Sequence, residues 1–97
     1  MRALICVAAA LLATPVAAQD AQARNLAASC AICHGTEGRP VSSDMVPLAG
    51  LPRDYIAIQL QDFKTGKRPA TVMHQIAKGY TDAQISALAA WFAAQKR

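Results

Sequence analysis

Three stretches of the chain repeat apolar residues at the three- and four-residue spacing of a helix buried on one side. Over about Ala21 to Cys33, the residues Ala23, Leu26, Ala27 and Cys30 fall on one face. From about Arg53 to Lys64 the stripe is Ile56, Gln59, Leu60 and Phe63, entered after Pro52 and stopped by Gly66. From about Asp82 to Gln95 it is Ile85, Leu88, Ala89 and Phe92, with Trp91 on the flank. Thr81 is a good N-cap for this last helix, and Gln84 three residues on completes a capping box. A short helical turn is expected near Val72 to Lys78, ended by Gly79. Gly35, Gly38, Pro40, Ser42, Ser43, Pro47, Gly50 and Pro52 make the stretch between the first two helices a long irregular loop. No convincing strand run occurs. The pattern predicts an all-α single domain of three to four short helices.

The chain has 97 residues, room for one small domain. Its beginning reads differently. Met1 and Arg2 give a positive start, the apolar run "ALICVAAALLA" is too short to span a membrane, and Val16 and Ala18 precede a cleavage point. Residues 1–18 are expected to be a secretory signal peptide, cleaved to leave a domain at 19–97 that begins on Gln19. A membrane anchor or a buried helix is the competing reading. The short span and small terminal residues favour the signal. Cys6 lacks the small residues before it that a lipid-attachment site wants. The implied compartment is the periplasm, where a dithiol is oxidised or otherwise consumed. The 79 residues that remain keep Cys30 and Cys33, carry 9 basic against 6 acidic residues, and contain no further anchor. The basic residues are scattered apart from Lys64, Lys67 and Arg68, without interleaved aromatics, which excludes a nucleic-acid footprint. Solvation of the surface or docking to an acidic partner are the uses left to those three charges.

Three short helices and a long loop bury little, and a domain of this size needs a staple. A Cys30–Cys33 disulfide closes too small a loop to supply it. In "ASCAICHG" the positions 30, 33 and 34 stand at i, i+3 and i+4, so at the end of a helix they share a face. Cys-x-x-Cys-His is the spacing of covalent c-type haem attachment, with Cys30 and Cys33 as thioethers and His34 as an axial ligand of the iron. One haem c also provides apolar bulk. Two rivals compete. A redox dithiol wants a βαβ context that the chain lacks, and a zinc site of Cys30, Cys33, His34 and His74 lacks paired histidines in its second half. The second axial ligand comes from Met45, Met73 or His74. Met45 follows His34 in a loop that must first wrap the histidine's own side, whereas Met73 lies 39 residues on, beyond a helix that can carry the chain around. Met73 is therefore favoured. With both axial positions filled the iron transfers electrons but has no place for a substrate. Pro47 in "MVPLAG" either stiffens a turn or offers its carbonyl to the Nδ1–H of His34.

"CAICHG", "PLAGLPRDYIAIQLQDFKTGKRP", "TVMHQIAKGYTDAQI" and "LAAWFAAQ", in this order, resemble a small class I cytochrome c over nearly all of the chain after residue 18. The resemblance implies that the first and last helices cross with Trp91 at the crossing. It sets the thioethers on Cys30 and Cys33, the axial ligands on His34 and Met73, and the loop proline on Pro47. A narrower resemblance, carried by "DFKTGKRPATVMHQIAKGYTD", is to the haem domain of the cytochrome subunit of flavocytochrome c sulfide dehydrogenases. It implies an electron-transfer protein without catalytic residues of its own. That protein would accept electrons from the FAD of a flavoprotein subunit that oxidises sulfide and pass them to another redox protein. Many such subunits carry two haem domains, and this chain has a single Cys-x-x-Cys-His. Two other functions fit the same haem motif: a free soluble shuttle between respiratory complexes, and a haem enzyme or gas sensor with an open axial site.

Overall fold

The computed structural model of the chain describes residues 15–97, with side chains from Asp20 onward. Most of the expected signal peptide, 1–18, and Cys6 with it, lies outside the described residues. The elements follow in the order α1 (Pro15–Ala27), a 3-10 turn (Ala28–Cys30), α2 (Ala31–His34), α3 (Arg53–Thr65), α4 (Met73–Lys78) and α5 (Asp82–Ala93). No strand forms among the described residues; a single backbone bridge joins Thr36 to Arg39.

The first helix is broken where the apolar pattern runs on to Cys33. Ser29 Oγ donates to the Leu26 carbonyl at 3.5 Å, and this back-bond competes with the helical ladder. The backbone tightens into the 3-10 turn before resuming as α2. α2 stops at Gly35, whose φ of +80° only glycine adopts without strain. The start of α5 follows from chemistry. Thr81 Oγ1 accepts from the Gln84 amide at 3.1 Å while Gln84 Oε1 accepts from the Thr81 amide at 2.9 Å, the expected capping box. The helix ends at Ala93, two residues short of the apolar pattern.

α1 packs on α5, and α3 packs on both α4 and α5. Their contact is a small cluster of Ala27, Ile56, Leu88, Ala89 and Phe92. The anticipated inner face of α5, Ile85, Leu88, Ala89 and Phe92, is buried throughout. Trp91 stands half-buried on its flank, edge-on to Phe92 at 5.1 Å. This interior is thin. Among the described residues, five of the nine buried hydrophobics are alanine, and the largest fully buried side chains are Ile85 and Leu88.

The long loop is stitched to the end of α5. Gly50 N–H donates to the Phe92 carbonyl at 2.9 Å, and Arg39 donates to the Lys96 carbonyl at 2.9 Å. Within the loop, the Gly38 carbonyl accepts from Leu48 N–H at 2.9 Å and Ala49 N–H at 3.1 Å. Gly38 has φ +80°, and a Cβ there would lie 2.9 Å from Leu48 Cβ and 3.0 Å from Phe92 Cδ1. The close approach that glycine permits thus folds residues 46–49 back toward α2.

Candidate functional site

Cys30 closes the 3-10 turn, and Cys33 and His34 close α2, so one short length of backbone carries all three groups. Neither cysteine is in a disulfide. Cys30 is half-buried against the core and Cys33 is exposed. Burial pushes the Cys30 thiol up, and a hydrogen bond with Ser29 offsets only part of that. A redox dithiol needs the opposite, a thiol depressed toward thiolate. Among the described residues no three His, Cys, Asp or Glu side chains gather to hold a metal ion, which argues against the zinc arrangement.

His34 Nδ1 lies 2.8 Å from the carbonyl oxygen of Val46. A carbonyl can only accept, so Nδ1 carries a proton, and of the two neutral tautomers this contact selects the one whose Nε2 has the free lone pair. This is how a metal-binding imidazole is oriented by a partner on its other nitrogen. Of the two roles weighed for Pro47, the carbonyl acceptor falls to its neighbour Val46, one residue earlier. Leu48 N–H points to Gly38, and in a planar trans peptide the Pro47 carbonyl must point the opposite way. The peptide unit before it, Val46–Pro47, is the one that meets the imidazole.

Met73 opens α4 half-buried, and His74 beside it is half-buried with an enclosed Nδ1 that has no hydrogen-bond partner. Met45 is half-buried next to Val46, on the stretch of loop that is tied to His34. Val46, Tyr55, Ile58, Val72 and Ile76 are exposed large hydrophobics on the loop, on α3 and around α4. A broad groove of ≈ 1160 Å³ opens between α1 and α5, but its walls include none of Cys30, Cys33, His34 or Met73, so concavity alone does not locate this site.

The basic residues anticipated as docking charges are placed unequally. Lys64 Nζ turns inward, donating to the Tyr80 carbonyl at 2.7 Å and to Asp82 Oδ1 at 3.2 Å. Arg68 stacks 4.8 Å over the Phe63 ring and bonds Gln59. Lys67 is exposed. Hydrogen bonds from Gln61 and then Lys64, with the Lys64 charge, hold the Asp82 carboxyl below its ordinary value of 3.8. A carboxyl depressed on folding adds stability above its unfolded value, and that stability is lost as pH falls through the folded value. The thermal midpoint of Asp82→Asn is therefore expected to lie below that of the wild type at about pH 7 and to converge on it in acid, as the pH falls through the depressed folded value. Melts followed by circular dichroism across that range check this. A constant gap between the two curves would show that the ionised carboxyl is not what matters.

The residues fit a covalently attached haem. Two unpaired cysteines and an oriented imidazole leave one turn, the polypeptide core is small, and α4 with its N-cap carries the orphaned buried nitrogen of His74 and the exposed apolar Val72 and Ile76. Comparison with known proteins agrees. A sequence model of the cytochrome c family matches residues 18–96. The chain is 47% identical over 68 residues to the cytochrome subunit of sulfide dehydrogenase of Chlorobaculum tepidum, an alignment covering 69% of this chain and 60% of that protein. It is 44% identical over 71 residues to a thiosulfate dehydrogenase electron acceptor of Thiomonas intermedia, covering 72% of this chain and 33% of that one. Among solved structures, cytochrome c4 of Acidithiobacillus ferrooxidans superposes with a TM-score of 0.72 at 32% identity, over 78% of this chain and 49% of that chain. The chain thus spans between a third and three fifths of the length of these relatives.

Proposed function

The chain belongs to the cytochrome c family, an electron-carrier family whose class I fold and single covalently bound haem c on Cys30 and Cys33 it shares, and from that premise we propose that it carries electrons away from a sulfide-oxidising flavoprotein. The haem iron supplies the chemistry, gaining and losing one electron at a time. His34 and Met73 would hold the iron, one from the end of α2 and one from the start of α4. The observation that carries the electron-transfer reading is the His34–Val46 hydrogen bond, which fixes the tautomer and leaves Nε2 for the iron. The same bond supports Met73 over Met45, because it ties residue 46, and so its neighbour 45, to the His34 side. A thioether opposite an imidazole favours ferrous iron and raises the potential. That suits an acceptor.

The flavoprotein donor rests on the relative named as a sulfide dehydrogenase subunit and on the "IAKGYTD" run. Export to the periplasm rests on the first 18 residues, and the family match that begins at residue 18 supports a domain starting near Gln19. Among the described residues no helix is long and apolar enough to cross a membrane. The relative named as a thiosulfate dehydrogenase electron acceptor favours a second reading, a mobile carrier that visits its donor. An anaerobic mixing experiment tests both. Sulfide is expected to reduce the haem quickly only when a sulfide-oxidising flavoprotein is present, and the two are expected to co-elute on gel filtration. Reduction without co-elution supports the mobile carrier. Equal reduction by sulfide with and without the flavoprotein sinks the proposal.

A further inference from the structure

We propose that Tyr80 is a positioning residue for the iron–Met73 bond, holding α4 in register with the Cys-x-x-Cys-His turn through Ser29; this rests on Met73 as the axial ligand. α4 has six residues, spanning about 9 Å. A helix that short has no stability of its own, so the place of Met73 at its first position is set by what anchors the segment. Packing on α3 is one anchor. Tyr80, just past the other end, gathers the rest. Its amide donates to the Ala77 carbonyl in the last turn of α4 at 3.2 Å. Its carbonyl accepts from Lys64 Nζ, near the end of α3, at 2.7 Å. Its hydroxyl lies 3.2 Å from Ser29 Oγ, one residue before Cys30. Its ring packs against the core, and the next residue, Thr81, caps α5.

The contact with Ser29 spans 51 residues. It joins the segment that attaches the haem to the segment that carries the opposite ligand. Closing a loop of this length costs chain entropy that a bond between the two segments offsets. The ring and the hydroxyl divide the labour. Phenylalanine at position 80 keeps the packing and removes only the tie, so the two contributions separate in one substitution.

The test is imidazole binding to the ferric holoprotein, since imidazole enters only when Met73 leaves the iron. Tyr80→Phe and Ser29→Ala are each expected to bind imidazole about two- to tenfold more tightly than the wild type, the range a single hydrogen bond spans. The double variant is expected to bind no more tightly than either single one. Tyr80→Phe should also weaken the absorption band near the red end that reports iron–sulfur bonding, at temperatures where far-UV circular dichroism is unchanged. Single variants with wild-type imidazole affinity, or a double variant whose effect is the product of the two, overturn the tie. Met73→Ala separates the two levels. If it loses the red band and binds imidazole most tightly while Tyr80→Phe matches the wild type, Met73 stands and the role of Tyr80 is wrong. If Met73→Ala keeps the band, the ligand assignment has failed and the role of Tyr80 fails with it.

Discussion

Replacing Cys30 and Cys33 together by alanine is expected to remove all covalently bound haem and, with it, the cooperative thermal transition of the protein. The first half follows from chemistry, because no other cysteine lies beyond residue 6. The second follows from the size of the core. Among the described residues, nine buried hydrophobics, five of them alanine, offer little apolar surface to set against the entropy of ordering the chain. In such small domains the binding energy of the prosthetic group is largely the folding energy. The measurement is the haem spectrum of protein extracted with acidified organic solvent, followed by a melt. Protein without haem that still melts cooperatively at the wild-type temperature would mean that the polypeptide core suffices.

The second large effect belongs to Met73. Met73→Ala is expected to lose the red-end iron–sulfur band and to lower the reduction potential. Removing the thioether withdraws the ligand that favours ferrous iron, so the sign is downward. A fall on the order of 0.1 V or more is expected, within the roughly 0.8 V over which axial ligands tune haem potentials. Met45→Ala, on the His34 side of the loop, should keep both band and potential. Redox titration of the two variants decides between the methionines. The opposite pattern would place the loop across the iron.

What was legible in the sequence was periodic or local. The inner face of α5 and its Thr81–Gln84 cap could be read because helix period and capping chemistry are both written in neighbouring residues. The same holds for α3, which ends at Gly66 in the left-handed conformation. The attachment motif was legible for the same reason. What escaped depends on contacts between distant segments. The break after Ala27 coincides with a back-bond from one serine hydroxyl, and no periodicity announces it. That the carbonyl meeting His34 belongs to Val46 and not to Pro47 could not be read, because a loop's peptide orientation is set by its partners, here Gly38. Lys64 read as a surface charge, yet its ammonium binds a backbone carbonyl 16 residues away. Tyr80 carried no signal except its place in "IAKGYTD".

The alanine-rich interior has a consequence for which changes the protein can absorb. Trimming a buried side chain usually threatens a domain by leaving a hole, but alanine has almost nothing to trim. The exposure lies in the other direction. At Ala77 and Ala89, both 0% exposed, each added methyl group must displace a neighbour. Growth rather than loss is thus the hazard at these positions. Inherited variation there should be confined to glycine and serine.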